Sequence, residues 1–114
     1  METPNAAKSV PSGVKVIKLA GHIRMGEAID RFRNEIDGHL AQGDSRFLID
    51  MGDVRSLDSS GIGMLVRSLS LAKQKGGTIK LANVPQQASQ TLRVTGVLRL
   101  FEVYENEAAA LKTF

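Results

Sequence analysis

Apolar positions change their spacing several times along the chain, and each change marks an element. Val14 to Ala20 is dense in β-branched residues and closes at Gly21, the pattern of a strand. Ahead of it, Ala7 to Val10 suits a short strand. It is joined through Pro11-Ser12-Gly13, where proline presets one turn dihedral and glycine accepts the other. The two strands predict a hairpin. From Glu27 to Ala41 the residues Ile29, Phe32, Ile36 and Leu40 fall three or four apart with charge between them. That spacing predicts an amphipathic helix with one buried stripe, and Gly43 just beyond it suits a left-handed cap. Phe47 to Met51 is almost continuously apolar, as in a strand covered on more than one side.

A polar loop follows, then a second helix over Ser60 to Lys75 that ends at Gly76-Gly77. Ile62, Leu65, Val66, Leu69 and Ala72 share one face of it and are expected to pack on the sheet. Met64, Arg67, Ser68, Leu71 and Lys75 share the opposite face. A solvated face has no need of Met64 and Leu71, so this side is a candidate contact surface. Thr78 to Ala82 alternates Ile79 and Leu81 inward with Lys80 outward, a strand with one covered face. Pro85 begins a third helix that runs to about Thr95 and stops at Gly96. Leu100 to Tyr104 reads as a last short strand and Glu105 to Leu111 as a short terminal helix. Strands alternating with helices predict a single α/β domain over residues 7 to 114 behind a loose end at 1 to 6. Its sheet is expected to be mixed and four- to five-stranded, with helices mainly on one face.

Composition narrows the function classes. With 42% hydrophobic and 24% charged residues in 114, the chain is long enough to bury one core and too short for two. No apolar run approaches the roughly 20 residues that span a bilayer, and the N-terminus lacks the pattern of a secretory signal, so a cytoplasmic location and no membrane insertion are expected. The absence of cysteine excludes disulfides, thiol catalysis and thiolate zinc sites. A net charge of +3 is mild and its cations are scattered; only four Phe and one Tyr are available for stacking. Nucleic acid is therefore not an expected partner.

The chemistry concentrates at Asp58-Ser59-Ser60-Gly61, where loop becomes helix. An anion site, a nucleophile, a modification site and a plain helix cap all fit such a group. A nucleophilic elbow wants glycine two residues before its serine, and Leu57 and Asp58 stand there instead. Both histidines, His22 and His39, precede the serines, and His39 lies within a helix, where a surface or half-buried role is expected. Gly61-Ile62-Gly63 opens a dinucleotide fingerprint whose third glycine position is Val66, and no phosphate-binding loop with Gly-Lys occurs. Asp50, Asp53 and Asp58 can offer oxygen to Mg²⁺, but strand-end, turn and cap roles account for them. No enzyme activity, cofactor or metal is expected. A hydroxyl at a helix start is open to a kinase, and a phosphate there adds about 1.5 to 2 negative charges. At an interface such a charge weighs more than inside the domain, so the switch acts on binding.

These residues, taken in order, resemble a STAS domain of the anti-sigma-factor antagonist family over about 7 to 114. The most specific part is Asp58-Ser59-Ser60-Gly61-Ile62-Gly63, supported by Gly77 before the next strand and by Thr95-Gly96-Val97-Leu98-Arg99-Leu100-Phe101. The resemblance implies that Ser59 accepts phosphate from an anti-sigma factor serine kinase. It implies binding of that kinase when unmodified, release when phosphorylated, and resetting by a serine phosphatase. Asp58, Ser60 and Gly61 then flank the acceptor, and Met64, Arg67, Ser68 and Leu71 lie on the helix face a partner covers. The same fold also serves as a scaffold in signalling assemblies or as a regulatory subunit of lipid ABC transporters, which is the alternative role. Where many members have Gly-x-Leu-Asp after the second strand, this chain has Gly21-His22-Ile23-Arg24, a departure that bears on the partner more than on the fold.

Overall fold

The structure, a computed structural model, describes residues 10–114. They form one α/β domain in the order β1 (Val14–Ile23), α1 (Glu27–Ala41), β2 (Arg46–Leu57), α2 (Ser59–Gln74), β3 (Thr78–Ala82), α3 (Gln86–Val94), a 3-10 turn at Leu98–Leu100, β4 (Glu102–Tyr104) and α4 (Glu107–Leu111). The four strands lie in the order β1-β2-β3-β4, and all three pairings are parallel. The mixed sheet expected from sequence rested on an arm at residues 7–10. Residues 7–9 lie outside the described residues, as does the loose end at 1–6, and Val10 is exposed and in no strand.

Parallel strands in simple succession need a crossover between each pair, and crossovers of one hand all pass over the same side of the sheet. That places α1, α2 and α3 together. Ile17, Phe47, Ile49, Met51, Ile79 and Leu81 point to this side, against Ile29, Phe32 and Ile36 of α1, Leu65 and Leu69 of α2, and Leu92 of α3. Each fully buried side chain of this size contributes about 1.5 to 3 kcal/mol relative to exposure. The opposite side is covered more sparsely, by α4. There Val14, Leu48 and Ala82 meet Ala110 and Leu111, with Val16, Tyr104 and Phe114 at the margin.

This second layer corrects the expected outward position of Lys80, which is only 6% exposed. Its ammonium donates to the Thr113 carbonyl at 2.9 Å and to Thr113 Oγ1 at 2.7 Å, lies 3.4 Å from Glu102 Oε1, and sits 4.6 Å from the centre of the Phe114 ring. Nearby, the Gly52 N–H and Asn83 Nδ2 donate to Asp50 Oδ1 at 2.9 and 3.1 Å. Burial pushes the Asp50 carboxyl up, but hydrogen bonding with Glu107, Gly52 and Asn83 and the charge of Lys18 together outweigh it and hold the group below its ordinary value.

The largest departure from the sequence reading is β2. Its expected end at Met51 is followed by six more strand residues, paired to a β1 that runs three residues beyond its expected end: Ala20 with Asp53, Gly21 with Val54, His22 with Ser56 and Ile23 with Leu57. Two register shifts each leave one extra residue on β2. The core-facing residues after Met51 are therefore Val54 and Leu57, three apart, a spacing foreign to a regular strand, so the period of two that marks one is lost.

Two outcomes test this account. A Cβ at Gly77 would overlap the Ser45 backbone carbonyl, which accepts the Thr78 N–H. Gly77→Ala is expected to lower stability by about 2 kcal/mol or more, read as a reduced urea midpoint at unchanged slope. Asp50, depressed in the folded state, stabilises the fold above its unfolded pKa of about 3.9, and that contribution is lost as pH falls through the folded value. Asp50→Asn should therefore show a smaller loss of urea midpoint than the wild type on acidification below about pH 4.

Candidate functional site

The last pair of the β1–β2 ladder, Ile23 and Leu57, makes the platform on which α2 begins. The Asp58 N–H donates to the Ile23 carbonyl at 3.2 Å, fixing the residue before the helix in extended backbone. Asp58 is the N-cap: its Oδ1 accepts the Gly61 N–H at 3.0 Å, one of the amides that a helix start leaves without an internal partner. Helix α2 thus starts at Ser59, one residue earlier than expected.

Gly61 is buried because the helix approaches the platform closely. A Cβ there would stand 2.9 Å from the Ile23 carbonyl oxygen and 2.7 Å from Leu57 Cδ1. Its missing side chain serves the fold, so it is not open to a partner. Gly63, two residues on, is exposed and has nothing within 4 Å of a Cβ position. Ser59 is exposed in the first helical position and Ser60 is half-buried; neither hydroxyl makes a hydrogen bond among the described residues. With Asp58 capping, the Ser59 hydroxyl is left to solvent.

The contact face expected on α2 requires correction. Met64 and Ser68 are buried, at 4% and 0% exposure, because α1 lies along that side of α2. Ser68 Oγ turns back to the Met64 carbonyl at 2.7 Å. Leu71 is half-buried against the core. Arg67 stays partly exposed and joins the two helices, its guanidinium within 3.2 Å of both Asp37 carboxylate oxygens. The stripe of α2 that does face solvent runs through Ser59, Gly63, Arg67, Ser70 and Gln74. Helical period alone cannot choose between a partner in another molecule and a second helix of the same one.

Beside this stripe lies a cleft of about 360 Å³ between the start of α1 and α2. Its lining combines Ser60, Gly63 and Arg67 with Met25, Ile29 and Arg33. Met25 is 80% exposed in the turn before α1. Met25 and Arg33 are not among the expected site residues; an apolar residue in the tight turn Arg24-Met25-Gly26 is the local signal for the first.

The other candidate chemistries are dispersed. His22 Nδ1 lies 2.7 Å from Ser56 Oγ and His39 lies 3.4 Å from Asp44, and among the described residues neither histidine is hydrogen-bonded to Ser59 or Ser60. Asp50, Asp53 and Asp58 do not converge, and among the described residues no group of three His, Asp or Glu is placed to hold a metal. Among those residues, too, no helix is long and apolar enough to cross a membrane.

Comparison with known proteins agrees with this geometry. The sequence profile of the family described as "Mlab, STAS domain" matches residues 7–102. An anti-sigma F factor antagonist of Paenibacillus polymyxa is 25% identical over 100 residues, covering 87% of this chain and 85% of that protein. Among solved structures, a sulfate transporter family protein from Wolinella succinogenes superposes with a TM-score of 0.80 at 22% identity, covering 98% of this chain and 97% of the other. The anti-sigma factor antagonist SpoIIAA in its unphosphorylated form gives 0.76 at 19% identity, covering 92% of each chain. Its phosphorylated form gives 0.72 at 20%, covering 93% and 96%. These superpositions establish a shared fold.

Three substitutions separate the roles at the junction. Asp58→Ala is expected to lower stability by about 1 kcal/mol through loss of the cap. Gly61→Ala should cost about 1 to 3 kcal/mol by pushing α2 off Ile23. Gly63→Ala should stabilise by about 0.5 to 1 kcal/mol, since it meets open space in a helix. Urea unfolding of the three variants checks the order, and a Gly61→Ala protein as stable as wild type would remove the close-approach argument.

Proposed function

The chain belongs to the MlaB-type STAS-domain family, and from that premise we propose that it is an anti-sigma factor antagonist whose binding is controlled by phosphorylation of Ser59. The observation that carries this reading is the position of the Ser59 hydroxyl, exposed at the start of α2 and free of hydrogen bonds among the described residues while Asp58 does the capping. A kinase can take this hydroxyl without dismantling the cap.

In this reading the partner is an anti-sigma factor serine kinase, held while Ser59 is unmodified, and a serine phosphatase restores the binding form. The antagonist of Paenibacillus polymyxa supports the partner class by its name, and the phosphorylated form of SpoIIAA supports modification as the switch. The setting is then the bacterial cytoplasm. The domain acts by binding and not by catalysis.

The electrostatics favour release over refolding. A phosphate on Ser59 gains from the partial positive charge at the start of α2, about 0.3 to 1 kcal/mol at an exposed site, and is opposed by the neighbouring Asp58 carboxylate. Within the domain the two effects nearly cancel. Under a partner the same charge must be desolvated, and uncompensated charge at an interface costs about 2 to 5 kcal/mol. Arg67 does not relieve it, since its guanidinium is already engaged by Asp37. The docking face comprises Ser59, Gly63 and Arg67 on the exposed stripe together with the adjoining cleft, and Leu71 at its margin.

A second reading draws on the family description and on the similarity to the sulfate transporter family protein: a STAS subunit that regulates a transporter or a signalling scaffold. Titration calorimetry with the anti-sigma kinase encoded by the same genome distinguishes the two. Ser59→Ala should bind it with wild-type affinity and Ser59→Asp at least about tenfold more weakly, both variants keeping the wild-type urea midpoint. Equal affinities would remove the switch, and a phosphate found by mass spectrometry on a peptide without Ser59 would move the site.

A further inference from the structure

The segment from the end of α3 through the 3-10 turn carries features that neither the core nor the Ser59 face accounts for. Three of the described large apolar side chains that stand exposed fall within ten residues of one another: Val94 at 75%, Leu100 at 47% and Val103 at 43%. Val94 is a β-branched residue on the solvent side of a helix, where it adds nothing to the core and is a poorer helix former than most alternatives. From Gln86 to Phe101 there is no aspartate or glutamate, while Arg93 and Arg99 are present.

Local geometry holds these groups in place. Helix α3 ends with the Gly96 N–H donating to the Arg93 carbonyl at 3.0 Å and the Val97 N–H to the Leu92 carbonyl at 2.9 Å, with Gly96 at a φ of 77°. This reverses the chain, so that Arg93 in the last helical turn and Arg99 in the 3-10 turn flank one cavity of about 490 Å³. Leu98 lines it while packing on the core, so the floor is fixed. The charges are uncommitted. Arg31, Arg33 and Arg67 have a carboxylate partner, whereas Arg93 and Arg99, like Arg24, Arg46 and Arg55, have none among the described residues; Arg93 and Arg99 differ in lining one cavity together.

We propose that this cavity is a second docking site, and that its occupant is an acidic protein segment bearing an apolar side chain. The apolar group would sit on Leu98 at the floor of the cavity, and a carboxylate would bridge to Arg93 and Arg99, whose planar guanidiniums suit paired hydrogen bonding to carboxylate. An anionic membrane is the less suitable occupant. Two cations contribute about 1 kcal/mol each near such a surface, a concave seat does not match a flat one, and the chain has no tryptophan to anchor at an interface. The site shares no residue with the cleft beside Ser60, so it stands independently of the phosphorylation reading.

Selection of a phage-displayed random dodecapeptide library on the wild-type domain tests the proposal. Peptides combining Asp or Glu with Leu or Phe should be enriched, and their amide shift perturbations should centre on Arg93 to Leu100. The Arg93→Glu/Arg99→Glu variant should bind the enriched peptides at least about tenfold more weakly, with an unchanged urea midpoint because both side chains are exposed. Should that variant lose stability, Arg93→Gln/Arg99→Gln provides the same comparison without charge reversal. Failure to enrich such peptides, or enriched peptides that bind the charge variants as tightly as wild type, would overturn the proposal. So would phosphatidylglycerol vesicles perturbing the same residues in the absence of peptide binding.

Discussion

The close approach of Gly61 to the Ile23 carbonyl is the constraint on which the arrangement of this domain depends. It requires three things at once: a β1 long enough to reach Ile23, a β2 long enough to place Leu57 beside it, and a residue without a side chain in the first turn of α2. Given those, the direction of α2 is set, and Asp58 has both its N–H and its carboxylate engaged. Ser59 is then the first residue of the junction with no structural duty. The exposure of its hydroxyl follows from the backbone, whatever partner it meets.

The two sides of the sheet do different work. One carries three helices over a continuous apolar layer. The other holds one short helix through a smaller apolar cluster supplemented by polar contacts, chiefly Lys80 with the carbonyl and hydroxyl of Thr113 and Asp50 with Gly52, Asn83 and Glu107. Burying an ammonium is unfavourable unless its donors are used, and Lys80 uses them on Thr113 and Glu102 while lying against aromatic rings. The thin layer is thus fixed by directional bonds where apolar area is limited.

Regular periodicity made much of this fold legible. The stripe Ile29, Phe32, Ile36 and Leu40 marks α1 to the residue, and Thr78–Ala82 is recovered as β3. Legibility fails where spacing is altered by tertiary structure. Met51, Val54 and Leu57 are three apart because β2 is bulged, and only the pairing partner in β1 reveals it. The sequence shows that α2 has a second side carrying Met64 and Ser68, not what covers it, and both are buried in the fold. At the site, the Asp58-Ser59-Ser60-Gly61 motif could be located from sequence. The cap at Asp58 and the close packing at Gly61 needed coordinates, whereas Ser59 as acceptor comes from the family resemblance. The cleft that adds Met25 and Arg33 joins segments distant in sequence, and no local pattern encodes it.

The simple succession of strands also bears on how the chain folds. Every strand pairs with the one made just before it, so each pairing closes only the loop formed by a single intervening helix and its connections. Closure entropy rises with the length closed, and topologies built from such near-neighbour pairings fold faster than those joining distant segments. The platform at Ile23 and Leu57 belongs wholly to the first β-α-β unit, residues 14 to 57. The surface that presents the serine is therefore complete in the chain before the serine itself.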